Sequence, residues 1–245
     1  MKLKEEFYPF LGSVNGSRGG ATSRVCQALR EAIVSLELPP GAVIDKSALC
    51  ERLGVSRFPV SEALSRLQSE GLVDVQPQRG SNVALIRLSD ADENMFLRRA
   101  LEAAAVRALA PIITQEALAA LQRNIRYQRA AVKADDRPGF HKLDLEFHEI
   151  LLDALKFPRV KAAAESARLA LERVRRLLAS PRRHALTLEE HERILAGLEA
   201  GDGERAAKAM MRHLDAVNRE LKALARKKPG IFADRDQWKS RAGTR

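Results

Sequence analysis

From Ser23 onward, apolar residues recur at helical spacing: Val25, Leu29, Ile33 and Leu36 lie about one turn apart and predict an amphipathic helix. Pro39-Pro40-Gly41 stops it. A second, short helix fits residues 46–53, with Leu49 and Leu53 on one face and Gly54 as its terminator. A third opens after Ser56 as N-cap and tolerates Pro59, because first-turn amides have no helical acceptor. Val60, Leu64 and Leu67 form its buried stripe, and Gly71 ends it. The period then shortens. Leu72, Val73 and Val75, followed by Val83, Leu85 and Ile86, predict two strands around a turn at 76–82.

Helix, helix, helix, hairpin is the order of a winged helix-turn-helix. Beyond Ser89 no strand signal remains, and amphipathic helices are predicted near 90–109, 115–133, 138–155, 159–179, 188–199 and 203–226. Pro111, Pro138-Gly139, Phe157-Pro158, Ser180-Pro181 and Gly201-Asp202-Gly203 mark the joints. Ser89 before Asp90, with Glu93 in the first turn, is the start signal of the first. The expected fold class is mainly α: an N-terminal winged helix-turn-helix and a C-terminal all-α antiparallel bundle. The bundle counts six helices, with a short seventh as the alternative. The expected division is a flexible leader over 1–22, rich in Gly and Ser from 12, then a winged domain over 23–87 and a helical domain over 88–228. A loose polar tail over 229–245 follows, in which Trp238 either packs or is exposed.

Composition narrows the class. No apolar run reaches membrane-span length, and MKLKEEFYPFLG lacks a signal peptide's long apolar core, so a cytoplasmic protein with no membrane partner is expected. Cys26 and Cys50 make no zinc spacing and no disulfide framework. The net charge of +10 invites a nucleic-acid partner, yet residues 1–87 carry only +2, residues 88–228 carry +6 and the tail +2. Charge alone does not locate a DNA-binding surface.

The third helix does. Ser56, Arg57, Phe58 and Ser61 occupy the end that enters a major groove, where Arg57 suits a guanine or phosphate and Ser56 a phosphate oxygen. Arg79-Gly80 at the hairpin tip pairs a cation with a residue that permits close backbone approach. The competing reading is an ordinary three-helix fragment with a surface hairpin. In the helical half, Asp144 and His148 share a helix face at i,i+4, and His191 and His213 sit on the last two helices. One carboxylate and three imidazoles suit zinc first, with nickel or manganese as alternatives. His141, seven residues before His148, is a rival ligand, and each histidine taken singly also fits a hydrogen-bonded core position.

The run PPGAVIDKSALCERLGVSRFPVSEALSRLQSEGLVDVQPQRGSNV resembles the DNA-binding domain of the GntR family of bacterial transcription regulators, over about 23–86. The resemblance implies that Arg57 is the principal recognition arginine and that Gly80 sits at the wing tip. Phe58 stands where members usually have Thr, and Ser61 where they have Arg. Lys46 and Ser47 stand where helix two often offers an acid and an arginine. These departures imply an operator unlike the usual family sequence. The elements RRALE, DLEFH, HERILAGLEAGD and MMRHL resemble the FCD ligand-binding domain of the FadR-type branch, over about 90–226. That resemblance implies a divalent metal on Asp144, His148, His191 and His213, and an effector arginine at Arg98. Arg99 is the alternative, and an Arg98–Glu102 i,i+4 pair the simpler reading. Six helices resemble the shorter VanR-type arrangement, and Lys156-Phe157 replaces a frequent Gly-Asn pair.

The expected function is a homodimeric, ligand-responsive regulator of double-stranded operator DNA, with a small carboxylic acid as effector. A direct metal sensor is the rival. A metal-dependent hydrolase or lyase is disfavoured, because no Glu stands at an evident supporting spacing and no G-x-S-x-G occurs. A nonspecific DNA-packing protein is the remaining reading.

Overall fold

A computed structural model describes residues 8, 9, 11, 20–76, 80–235 and 238. It divides into two units, 1–87 with 228–245, and 88–227.

In the first unit α1 (Ala21–Ser35), α2 (Lys46–Leu53) and α3 (Arg57–Ser69) surround one core, closed by a small sheet. Val25, Leu29, Ile33, Leu49, Leu53, Leu64 and Leu67 are buried, so the helical stripes read from the sequence do face inward. Gly54 takes φ +67° at the end of α2, a left-handed turn that admits glycine at little cost and aims the chain into α3. The sheet has three strands rather than two: β1 (Val43–Ile44), β2 (Val73–Gln76) and β3 (Gly80–Val83), in the order β1-β3-β2 and antiparallel throughout. Val73 pairs with Val83 and Gln76 with Gly80, while Val43 pairs with Asn82.

Ile86, expected in the hairpin, instead bridges Phe232 in parallel. Ile86 N–H donates to the Ile231 carbonyl at 3.0 Å and Ala233 N–H to the Ile86 carbonyl at 3.0 Å. Residues expected as a loose tail are therefore anchored: Phe232 and Trp238 are buried. The leader also needs correction. Residues 12–19 lie outside the described residues, but Ala21 and Thr22 are already helical. Tyr8 and Leu11 are buried in the core of the winged unit. The Tyr8 hydroxyl accepts from Asp45 N–H at 2.8 Å, and Arg52 donates to the Tyr8 and Pro9 carbonyls at 3.1 and 3.0 Å.

The second unit holds seven helices among the described residues: α4 (Leu88–Leu109), α5 (Gln115–Lys133), α6 (Arg137–Leu155), α7 (Pro158–Ala170), α8 (Glu172–Leu178), α9 (Pro181–Glu199) and α10 (Gly203–Lys227). The count of six was one short, and the short seventh kept as the alternative is α8. The stretch read as one helix over 159–179 breaks at Leu171, whose ψ of 1° leaves the helical region. The helix expected from 188 begins at Pro181, with the Ser180 hydroxyl accepting from Arg183 N–H at 3.2 Å. Proline at N1 loses no helical bond, so Ser180-Pro181 is a start and not merely a joint. α8, opening at Glu172, carries Arg175, and the extra turns of α9 carry Arg183 and Thr187.

α4 packs on α6, α7 and α10; α5 packs on α6 and α9; α9 and α10 form an antiparallel pair. That pair is close because of Gly197. A Cβ there would stand 2.6 Å from the Ala206 backbone nitrogen, so the close approach excludes any larger residue without displacement.

Candidate metal centre and nucleic-acid interface

α3 presents its N-terminus to solvent. Arg57 and Ser61 are exposed, and Phe58 is 76% exposed, a large apolar side chain left without a core. Ser56 is the N-cap, yet its side chain makes no capping bond, so the first-turn amides are left uncapped by it. Ser47 is exposed and Lys46 half-buried in the first turn of α2, which Asp45 caps by accepting from Ser47 and Ala48 N–H at 2.8 and 3.1 Å. Gly80 is exposed with φ +97° at the start of β3. Arg79, expected beside it, lies outside the described residues.

The second unit brings four distant residues together. Asp144 and His148 project from α6, His191 from α9 and His213 from α10, and their donor atoms all lie within 4.8 Å of one another. All four are buried, His191 completely. The α9–α10 approach explains part of this: His191 stands six residues before Gly197 and His213 seven after Ala206, so both lie at matching heights on the hairpin. Phe147 stacks on His191 with centroids 4.1 Å apart, fixing that ring.

Each imidazole is also held from behind. His148 Nδ1 lies 2.6 Å from Glu102 Oε2, His191 Nδ1 lies 3.0 Å from Gln128 Oε1, and His213 Nδ1 lies 2.8 Å from Glu190 Oε2. An acceptor beside each Nδ1 leaves Nε2 as the atom available to a ligand, and His191 Nε2 lies 3.7 Å from Asp144 Oδ1. The Nε2 atoms of His148 and His191 are buried without a hydrogen-bond partner, an expensive state for two nitrogens facing Asp144. One carboxylate and three imidazoles, two of them with an orphaned Nε2, fit a divalent cation. Burial, and for His191 and His213 also their neighbouring imidazoles, holds both rings well below the ordinary histidine range; His148 is lowered as well, with Glu102 opposing. Neutral rings are what a metal needs. Burial alone would raise Glu102, but Arg98 and then His148 outweigh it and hold that carboxyl far below its usual value.

The other candidates fall elsewhere. His141 lies beside the donors on a cavity wall, with Nε2 2.6 Å from Glu172 Oε1, and does not join the four. Arg99 pairs with Asp215 at 3.2 Å on the surface. Arg98 is buried against Glu102 at 2.6 Å and also lines the cavity, so the pair and the wall position coexist. The cavity, about 60 Å³, is further lined by Arg175, Arg183 and Thr187, none of which sequence reasoning singled out. Arg175 Nη2 pairs with Asp144 Oδ2, while burial and then Arg98 push Arg175 down to about 9. Arg183 donates to Thr187 at 3.0 Å and pairs with Glu190. Although no Glu stands at an evident supporting spacing in the sequence, Glu102 and Glu190 back the cluster. They sit on α4 and α9, so no spacing along one helix reveals them, although Glu190 does adjoin His191 in sequence.

Comparison with known proteins decides the family. Residues 21–83 match the family described as "Bacterial regulatory proteins, gntR family", and residues 93–216 match the FCD domain. The chain belongs to the GntR family of regulators, with an FCD domain. An HTH-type transcriptional regulator of Streptomyces ambofaciens is 33% identical over 87% of this chain and 91% of its own. The HTH-type transcriptional repressor RspR of Escherichia coli K12 is 28% identical over 86% and 93%. A solved GntR transcriptional regulator from Rhodococcus sp. RHA1 superposes with a TM-score of 0.66 at 26% identity, over 82% of this chain and 97% of that one. The protein is thus a DNA-binding transcription regulator and not an enzyme. Among the described residues no helix is long and apolar enough to cross a membrane.

Proposed function

We propose that this regulator is a cytoplasmic homodimer that reads operator DNA with Ser56, Arg57, Phe58 and Ser61. Lys46, Ser47, Arg79 and Gly80 would supply flanking contacts. Its helical unit holds a divalent metal, zinc by ligand chemistry, on Asp144, His148, His191 and His213, and takes a small carboxylic acid at that metal with Arg98 on the pocket wall. One observation carries the reading: four buried donors converge within 4.8 Å beside a cavity edged by arginines. Metal with an open position plus a guanidinium suits a carboxylate. A two-fold operator calls for two copies. The exposed Phe96 and Leu97 of α4 and Leu169 of α7, on helices that pack together, offer apolar surface for that contact.

Elemental analysis with mass spectrometry of the purified protein tests the site. The expected result is one equivalent of metal in the wild type, lost in His213→Ala with operator binding largely spared. Full metal content in His213→Ala removes that residue from the site. The small cavity also favours a second reading, in which metal occupancy itself is the signal. A shift in operator affinity on titrating zinc without any acid selects it.

A further inference from the structure

α3 carries one large apolar side chain that its own unit does not bury. Phe58 is 76% exposed at the second position of the helix, while the next two residues, Pro59 and Val60, are buried and fix the first turn against the core. Helical side chains lean toward the N-terminus, and only Arg57 precedes Phe58 in α3, so the ring extends past the helix end instead of lying on a preceding turn. The side of α3 that it occupies is otherwise small and hydroxylated: Ser61 and Ser65, three and seven residues on, are exposed. Glu62, four residues on, lies 3.4 Å from Arg66. Beside Arg57, Phe58 is therefore the long side chain that this end of α3 carries toward a base edge. Pro59 has no N–H, which leaves the helix tip a donor short for holding a phosphate.

We propose that Phe58 is a specificity residue that reads the C5 methyl group of a thymine. This rests on the reading of α3 as the helix that enters the major groove, and adds to it the base that the groove must present. A phenyl ring neither donates nor accepts a hydrogen bond, and the thymine methyl is the one alkyl group that unmodified base pairs present in the major groove. Set against guanine, cytosine or adenine, the ring would strip water from their acceptors and donors and give no bond in return, which is costly. Set against the methyl, it removes apolar surface of both partners from water. The ring thus selects thymine by attraction and disfavours the other bases by penalty. Ser61 and Ser65 leave room for that approach, since neither reaches as far as the ring.

Duplexes enriched from a randomised pool by the full-length chain supply the operator, and deoxyuridine placed at each thymine in turn removes one methyl and no hydrogen-bonding group. In fluorescence anisotropy the wild type is expected to lose about fourfold in affinity at one thymine at least, the worth of one buried methyl. Phe58→Ala is expected to bind the thymine and uracil duplexes equally at that position, and both more weakly than the wild type binds thymine. The variant also controls for any change that uracil makes in duplex stiffness, since such a change would reach both proteins. Phe58→Asn, polar at the same place, is expected to show the same loss of discrimination. No uracil-sensitive thymine in the wild type, or an undiminished uracil penalty in Phe58→Ala, overturns the methyl reading and leaves α3 as the groove helix. A pool from which the wild type enriches no sequence overturns both. Should neither variant keep the wild-type circular dichroism, the wild-type uracil scan decides alone.

Discussion

At the scale of single residues, the support behind the histidines is the most informative feature. Glu102 accepts from Arg98 Nε on Oε1 at 2.6 Å and from Nη2 on Oε2 at 3.5 Å, and Oε2 also faces His148 Nδ1 at 2.6 Å, which orients the ring and favours its proton on the outer nitrogen. Replacing it by Gln removes the ionised acceptor and strands Arg98 in a buried site. Glu102→Gln should weaken zinc binding about 10–100-fold, measured by competition with a chromophoric chelator. On the other unit, Arg57→Ala should reduce operator affinity by about 1–3 kcal/mol in fluorescence anisotropy, with an unchanged thermal midpoint because an exposed helix-tip arginine contributes little packing. Unchanged affinity would take Arg57 out of the interface. The convergence of Asp144 and His148 with His191 and His213 was legible in part, because residue type and the i,i+4 spacing of Asp144 and His148 are local facts. Gln128, Glu190 and Arg175 were not, since they reach the centre from α5, α9 and α8 and only packing brings them there.

At the scale of elements, the α9–α10 hairpin sets the distance between His191 and His213, whose ring centroids lie 4.8 Å apart. Gly197→Ala puts a methyl 2.6 Å from the Ala206 nitrogen and 2.8 Å from its Cα, backbone atoms with nowhere to swing. The helix-propensity gain of about 1 kcal/mol opposes an overpacking cost of about 1–3 kcal/mol. The variant should lose thermal stability in the helical unit and bind less zinc per chain. In the winged unit Arg30 donates to Glu70 at 2.8 and 2.6 Å, tying α1 to the end of α3. That bond holds the Glu70 carboxyl below its ordinary value despite some burial. A depressed carboxyl contributes stability above its unfolded value and loses it as pH falls through the folded one. Both groups are over a third exposed, so Arg30→Gln should cost only about 0–1 kcal/mol at neutral pH, a cost that shrinks as pH falls and Glu70 takes up its proton, as a series of denaturant melts from pH 7 downward would show. Helix stripes and their glycine or proline ends were readable from sequence. The break at Leu171 was not, because no glycine or proline marks it, and two-residue β1 is too short to carry an alternation.

At the scale of the whole molecule, residues 228–235 and 238 belong with the first unit, beyond the whole helical unit in sequence. The Ile86–Phe232 bridge joins positions that no local pattern relates, so the anchored tail was invisible in the sequence. The net charge is split evenly, +5 on each unit, so family membership, not net charge, is what identifies the DNA binder. Whether metal is structural or is part of the signal is then a question of linkage. If zinc changes operator affinity by some factor, operator DNA must change zinc affinity by that same factor, typically about 5–150-fold in coupled systems. Zinc titrations with and without a saturating operator duplex, paired with operator titrations of zinc-loaded and stripped protein, measure both sides. Equal factors well above one are expected if metal occupancy speaks to the DNA-binding unit. Factors of one on both sides would mean that zinc stabilises the helical unit alone, by about 2.7 kcal/mol at a hundredfold excess over its dissociation constant, visible as a shift in that unit's melting only. Coupling would in that case have to enter with the acid, and adding a small carboxylic acid to the same pair of titrations would have to restore it.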